Sequence, residues 1–416
     1  MYFLDSCLKF YQHRTMRADP KMEIMKNVIQ EQRMIQYLSY YGNEKCREKR
    51  AYVLAATNKI DYITAAIQAC GDRVEIISMS PSQGRAAKAY TYDNGGTAVH
   101  MLASLDTSFK LWRPVNRLLM HLQLLLYLLR QEKSARILVY HSLGYMKTVA
   151  FAKKIRRFHL ILEVEEIYGD VTGDAKTVAR EMAFFPLADS YIFPTQLLDE
   201  KINTAKKPSV IIHGTYKVEA DRNCKFDDDE IHRHNKRVIH CVYAGTFDPR
   251  KGGAIAAAAA AEYLPDNYHI HVLGFGSDED IRKMKDLIAE ISNRSDAKVT
   301  YDGLLSGEDY IRFIQSCDIG LSTQNPDAAF NATSFPSKIL SYMANGLRVV
   351  SIRIPAIERS AVGRYMYYYD AQTPKEIAKA IMEVDTTDGY DGKKIISCLN
   401  GQFCSEMKEL INNDRN

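Results

Sequence analysis

Short apolar runs alternate with longer segments of helical periodicity along most of the chain. In the first half, runs at 50–56, 74–79, 136–140, 160–164, 190–193 and 209–213 predict strands. Between them, 60–70, 107–131, 151–158 and 180–188 carry apolar residues at helical spacing, and 80–96 reads as a polar loop. The alternation restarts at 238–244 and continues with strands at 268–273, 298–301, 319–322, 348–352 and 365–369. Helices are predicted at 252–263, 278–291, 308–316, from Ser334 to Asn345, and at 374–382 and 405–411. Strands that are hydrophobic on both faces and separated by helices predict parallel, doubly wound sheets. The expected fold class is therefore α/β, in two Rossmann-like halves.

Domain limits follow from composition. Residues 1–46 are polar, rich in tyrosine and methionine, and read as a helical extension. Residues 47–215 form the first α/β domain. The stretch 216–237 is charged and nearly free of aliphatics, which marks an interdomain linker. Residues 238–385 form the second α/β domain, and 386–416 a C-terminal helical segment. Acidic residues 227–230 with His232 and His234 contain metal-ligand types, but no strand or helix would hold them, so a solvated loop is the preferred reading and no metal is expected. The 416 residues suit two or three domains. A net charge of +4 is too small to argue for nucleic acid. Eight cysteines without a CxxC pair suggest reduced thiols and a cytoplasmic protein. The N-terminus lacks a signal-peptide pattern. The longest apolar run, 118–129, is shorter than the ~20 residues that span a bilayer.

Candidate chemistry concentrates after strands of the second half, where open α/β sheets bind ligands. Gly245-Thr246-Phe247-Asp248-Pro249-Arg250-Lys251-Gly252-Gly253 offers backbone N–H groups and two cations. Gly274-Phe275-Gly276-Ser277 repeats the theme. In the helix predicted from Ser334, with Pro336 in its first turn, Lys338 adds a third positive group near a helix start, which favours anions. The P-loop pattern GxxxxGK[ST] and the dinucleotide pattern GxGxxG with a downstream acid are both absent, which disfavours triphosphate hydrolysis and dinucleotide binding.

The series YAGTFDPRKGG, HVLGFGS, YDGLLS and SKILSYMANGLRVVS, in that order, resembles the donor-binding half of retaining GT-B glycosyltransferases of the large family-4 type. VYHS, LADSYIFPT and VIIHG extend the resemblance more weakly into the first half, so that it covers roughly residues 48–385. It implies a GT-B architecture, two Rossmann-like domains facing across a cleft. It also implies transfer of a sugar from a nucleotide-diphosphate sugar to a saccharide or lipid-linked acceptor, with retention and without a metal cofactor. By the same resemblance, Lys251 and Arg250 would neutralise the diphosphate, and Gly245, Thr246, Gly252, Gly276, Ser337 and Lys338 would line its cradle. Leu305 would lie beside the nucleobase, and His141 over the donor sugar as a catalytic group. Thr246 stands where the family carries arginine, and Thr333 and Ser341 stand where it carries paired glutamates that bind sugar and ribose. Both can hydrogen-bond hydroxyls, more weakly than a carboxylate.

In the first half, Glu166 is the preferred acceptor-binding residue, at the end of an inward-facing strand. The leucine-rich segment 107–131, with Lys110, Trp112, Arg113 and Arg117, is read first as a core helix. The alternative is a helix on the inner face of a membrane, reaching a lipid-linked acceptor. A second functional class is a non-catalytic GT-B subunit supporting a partner glycosyltransferase, because both family glutamates are replaced. A third, an epimerase on the same architecture, would need an acid and a base that the sequence does not display.

Overall fold

The computed structural model describes residues 33–222, 226, 237–248, 253–326 and 333–412. The first half contains β1 (Met34–Ser39), α1 (Leu54–Ala69), β2 (Arg73–Ser78), β3 (Tyr90–Asp93), β4 (Ala98–Met101), α2 (Arg113–Leu129), β5 (Arg136–Tyr140), α3 (Met146–Arg156) and β6 (His159–Glu163). It continues with α4 (Tyr168–Thr172), α5 (Ala175–Phe184), β7 (Ser190–Phe193), α6 (Gln196–Ile202) and β8 (Ser209–Ile211). These strands form one sheet in the order 3-4-2-1-5-6-7-8, parallel except for the β3–β4 pair.

The second half contains β9 (Ile239–Thr246), α7 (Gly253–Ala259), β10 (Tyr268–Phe275), α8 (Asp278–Ser292), β11 (Lys298–Gly303), α9 (Gly307–Ser316) and β12 (Ile319–Ser322). Then follow α10 (Lys338–Ala344), β13 (Arg348–Ile352), α11 (Pro355–Glu358), β14 (Met366–Tyr369), α12 (Pro374–Met382) and α13 (Gly392–Asn412). The second sheet is parallel throughout, in the order 11-10-9-12-13-14. In each sheet the strand order reverses beside its first strand, and a ligand on a doubly wound sheet binds at that reversal. The C-terminal helix α13 returns to the first half. Its Phe403 stacks on Tyr62 of α1, and Tyr62 Oη donates to Asn400 Oδ1 at 2.6 Å.

Three expectations need correction. The strand expected at 50–56 is not one: Leu54 begins α1, and a short apolar run does not by itself distinguish strand from helix. The first strand lies earlier, at Met34–Ser39, within the stretch read as a helical extension. It sits in the middle of the sheet between β2 and β5. The polar loop expected at 80–96 contains β3, which pairs with β4 at the sheet edge.

A further correction concerns α2. It buries Asn116, Met120, Leu124 and Leu128, yet leaves Val115, Leu118, Leu122 and Leu126 exposed on the opposite side, and Leu111 and Trp112 in the turn just before it are exposed as well. Leu111 is 85% exposed and Leu118 72%. The segment is therefore a core helix on one side only. Its neighbour α3 exposes Phe151 and Ile155, and His121 Nδ1 lies 2.8 Å from Thr148 Oγ1 where the two helices meet. Neither helix carries an acidic residue, and Lys110, Arg113, Arg117, Lys147 and Lys154 stand on or beside them. Among the described residues, no helix is long and apolar enough to cross a membrane. The described cysteines are free thiols, of which Cys241 and Cys317 are buried and Cys398 exposed.

Candidate functional site

A cleft of 1730 Å³ opens at the carboxyl ends of the first sheet. The loops after β1, β2, β5, β6 and β8 supply Tyr40, Pro81, Ser142, Glu165, Glu166 and Gly214 to its wall, and Ser334, Phe335 and Ser337 face them from the second half. Several contacts close the seam beside it. Thr195 Oγ1 donates to the Thr333 carbonyl at 2.6 Å, and Arg359 pairs with Glu200. Gly214 packs so closely on α10 that a Cβ there would lie 2.9 Å from Leu340 Cδ1.

The histidine at this seam is His213. Its Nδ1 donates to the Pro194 carbonyl at 2.7 Å, and its Nε2 accepts from the Ala361 N–H at 3.2 Å. Its ring lies 4.8 Å from that of Phe335. Burial lowers its pKa to about 4, against the backbone bond to Pro194, which favours the charged form. His213 is thus neutral at physiological pH, with both nitrogens engaged.

Beneath the cleft lies a buried charged cluster. Glu163 at the end of β6 is fully buried, hydrogen-bonded to Tyr37 Oη, and 4.0 Å from Lys59 Nζ. Lys59 also pairs with Glu165, which lines the cleft. Burial pushes the Glu163 carboxyl up to about 8, against the opposing charge of Lys59. One protonatable carboxyl, one paired carboxylate and an ammonium group therefore converge on the floor of the first half. Sequence reasoning passed over Lys59 and Glu163. The available signal was an acid inside the apolar run HLILE, where only a partnered charge is tolerated.

In the second half, the structure brings two expected residues together. Lys338 Nζ stands 4.1 Å from the centre of the Tyr243 ring, and a Cβ on Gly245 would lie 3.2 Å from the same nitrogen. The end of β9 and the start of α10 are thus one locus. Gly274 has φ +150°, and a Cβ there would stand 1.8 Å from the Gly245 carbonyl oxygen, so only glycine fits where β9 and β10 end side by side. Gly276 is crowded in the same way, with Asp280 Cβ 2.8 Å from a Cβ placed on it. Thr246 Oγ1 accepts from the Asp248 N–H at 3.2 Å and so holds the loop. Leu305 packs at the edge of the core. Ser341 Oγ lies 3.4 Å from Tyr310 Oη.

Several expected site residues are placed differently or not described. His141 does not enter the cleft. It is 1% exposed, its Nε2 lies 2.8 Å from Glu181 Oε1, and Tyr168, Phe184 and Phe185 surround its ring. Glu181 also accepts from the N–H groups of Tyr168 and Gly169, so His141 anchors the turn that presents Tyr168 to the cleft. His141 is thus not on the wall of the cleft, which its neighbours Tyr140 and Ser142 do line. Helix α10 starts at Lys338 rather than Ser334. Ser337 is its N-cap without a side-chain capping bond, and Pro336 precedes the helix. At seven residues α10 is a short helix. Arg250, Lys251 and Gly252, together with acidic residues 227–230, His232 and His234, lie outside the described residues.

Residues 239–385 match the family model of glycosyl transferases group 1. No curated protein matches the chain. Among solved structures, sucrose-phosphate synthase from Thermosynechococcus elongatus aligns with TM-score 0.65 at 14% identity, over 92% of this chain and 99% of its own. HepE of Anabaena, in complex with UDP and glucose, aligns with TM-score 0.60 at 13% identity, over 92% and 100%. A UDP-forming trehalose-phosphate synthase from Burkholderia xenovorans, in complex with glucose-6-phosphate, aligns with TM-score 0.56 at 10% identity, over 92% and 98%. At these identities the likeness establishes the fold, and the fold is GT-B.

Proposed function

We propose that the protein is a retaining glycosyltransferase that takes a sugar from a nucleotide-diphosphate sugar, with uridine diphosphate as the first candidate, and passes it to a saccharide or lipid-linked acceptor. The observation that carries this reading is the meeting of Gly245 and Lys338 at the reversal of the second sheet, inside the segment that matches the family model. A diphosphate there would find backbone N–H groups and one ammonium, with Lys251 and Arg250 as further cations of the same loop. The UDP in the Anabaena structure and the UDP-forming activity of the Burkholderia enzyme favour that nucleotide. No metal is needed at the diphosphate on this reading, since cations of the chain supply the charge.

The acceptor would enter the cleft of the first half, where Glu166 and the Lys59–Glu165 pair offer hydrogen bonds to hydroxyls. Retention needs no protein nucleophile if the acceptor oxygen attacks from the side the diphosphate leaves and a diphosphate oxygen takes its proton. The protein's part is then to orient the substrates and stabilise the leaving group. The exposed apolar stripe of α2 and the adjoining basic residues fit peripheral contact with an anionic bilayer, which would bring a lipid-linked acceptor within reach. The test is incubation of the protein with UDP-sugars and an acceptor panel, reading UDP release and the anomeric configuration of the product by NMR. Release that depends on acceptor and gives a retained product supports the reading, and an inverted product refutes it.

A second reading is a non-catalytic GT-B subunit supporting a partner glycosyltransferase. It is favoured by Thr333 and Ser341 in the places of the two carboxylates. Such a protein would co-purify with its partner and release no UDP by itself.

A further inference from the structure

We infer that His240, His269 and His271 form a buried binding site for one divalent transition-metal ion, best suited to Zn²⁺. This inference is independent of the transferase reading. His240 on β9 and His269 on β10 are register partners, and His271 stands two residues beyond His269, so all three side chains project from one face of the sheet. All three are buried, and one ring nitrogen from each lies within 4.8 Å of the others. Among the described residues this is the one group of three or more such side chains.

The surrounding groups orient His269 and His271. Thr300 Oγ1 donates to Asp302 Oδ2 at 2.8 Å, so toward His269 Nε2, 2.9 Å away, it acts as acceptor. Asp302 Oδ2 lies 3.2 Å from His271 Nδ1. The relay therefore protonates His269 at Nε2 and His271 at Nδ1. That leaves Nε2 as the unprotonated nitrogen of His271. A carboxylate holding the far side of an imidazole is the usual outer support of a metal-bound histidine. His240 Nδ1–H donates to His271 Nε2 at 3.0 Å, and a metal ion would take the place of that proton. Two nitrogens bound tetrahedrally to zinc at about 2.0–2.1 Å would stand about 3.3 Å apart, so the His240–His271 pair needs only a small adjustment, whereas the His269 and His271 rings, with centres 3.7 Å apart, must splay to share the ion. Phe226 stacks on the rings of His240 and His271, and Phe313 meets His271 edge-on, so aromatic rings shield the cluster from water.

The position argues for a structural ion. His240 and His269 are the second residues of their strands, whereas Gly245 and Gly274 lie at the opposite ends. Five residues of strand separate them, about 16 Å. A metal here would pin β9 to β10, and through Asp302 to β11, beneath the nucleotide edge without touching it. Three imidazoles leave a fourth position for water or another ligand, and imidazole suits zinc, copper and nickel, with zinc set apart by its preference for tetrahedral sites.

The sequence signal was present. The H-x-H of YHIHVL puts two histidines on one strand face, and His240 opens the neighbouring strand.

The test uses the full chain without a histidine tag, stripped with a chelator, reloaded with Zn²⁺ or Co²⁺, and dialysed. The expected result is about one ion per chain by mass spectrometry, a tetrahedral visible spectrum for the Co²⁺ form, and a higher Tm when loaded. His271→Ala should lose the ion and His100→Ala should keep it. Asp302→Asn should weaken Zn²⁺ about 10–100-fold. If His271→Ala does not fold, the Co²⁺ spectrum and the Asp302→Asn affinity decide. The inference is overturned by wild-type protein that retains far less than one ion, by an octahedral Co²⁺ spectrum, or by unchanged binding in folded His271→Ala or in Asp302→Asn.

Discussion

Protonation of His213 should loosen the contact between the two halves of the protein. Neutral His213 accepts the Ala361 N–H through Nε2 while Nδ1–H is held by Pro194, and the protonated ring has no lone pair left for Ala361. Its pKa is lowered from 6.5 to about 4. A depressed histidine adds stability that is fully present above pH 6.5 and is lost as pH falls through about 4. The difference corresponds to about 3 kcal/mol between pH 7.5 and 4. His213→Gln removes this titration, though it costs stability of its own at neutral pH. Urea denaturation of both proteins across that range, read from the transition that the substitution itself shifts, should show the wild type losing about 3 kcal/mol more than the variant. In parallel, the His213 ring resonance, assigned by its loss in His213→Gln, should not titrate above pH 5. Equal pH slopes for the two proteins, or a resonance titrating near 6.5, would show that the fold does not hold His213 neutral.

Other residues give sharper local tests. Gly274→Ala places a methyl against the Gly245 carbonyl at a φ unsuited to alanine and should cost about 3 kcal/mol or more in denaturant melts. Gly401→Ala, on exposed helix with nothing within reach of a Cβ, should instead gain about 0.5–1 kcal/mol. The raised Glu163 carboxyl favours the fold below pH 4.5, and this advantage is lost as pH rises through about 8, so Tm measured from pH 5 to 9 should fall less in Glu163→Gln than in the wild type. Leu118→Glu with Leu122→Glu should abolish co-sedimentation with phosphatidylglycerol vesicles and leave UDP affinity unchanged, and equal sedimentation would rule out α2 as the membrane face.

Most strands were legible because they are buried on both faces, as in Arg136–Tyr140 and Ile319–Ser322, where an apolar run bounded by polar turns admits few alternatives. β1 was missed because MIQYLS interrupts its apolar residues with Gln36 while the run near 50 is greasier, and local hydrophobicity does not reveal which segment finds a place between two other strands. At the candidate site, Gly245 and Lys338 were legible through their loops and do meet. His141 was not, because its position at a strand end does not say which way the side chain turns, and Glu181, forty residues on, pulls it inward. The Lys59–Glu163–Glu165 cluster was passed over for a related reason, since its charges come from α1, from the end of β6 and from the loop after it, and only the acid in HLILE hinted at it. Burial on α2 was read from leucine density, whereas the structure shows that this helix has one buried and one exposed apolar side.

On the proposed reading, a nucleotide diphosphate binds where Gly245 meets Lys338. Isothermal titration of UDP into the wild type, Lys338→Ala and Lys251→Ala tests it most directly. The expected result is one site in the wild type, weakened about 10–100-fold by either substitution, as loss of a hydrogen bond to a charged group implies. Unchanged affinity in Lys338→Ala, or a wild type that binds UDP, GDP, ADP and TDP equally poorly, would contradict it.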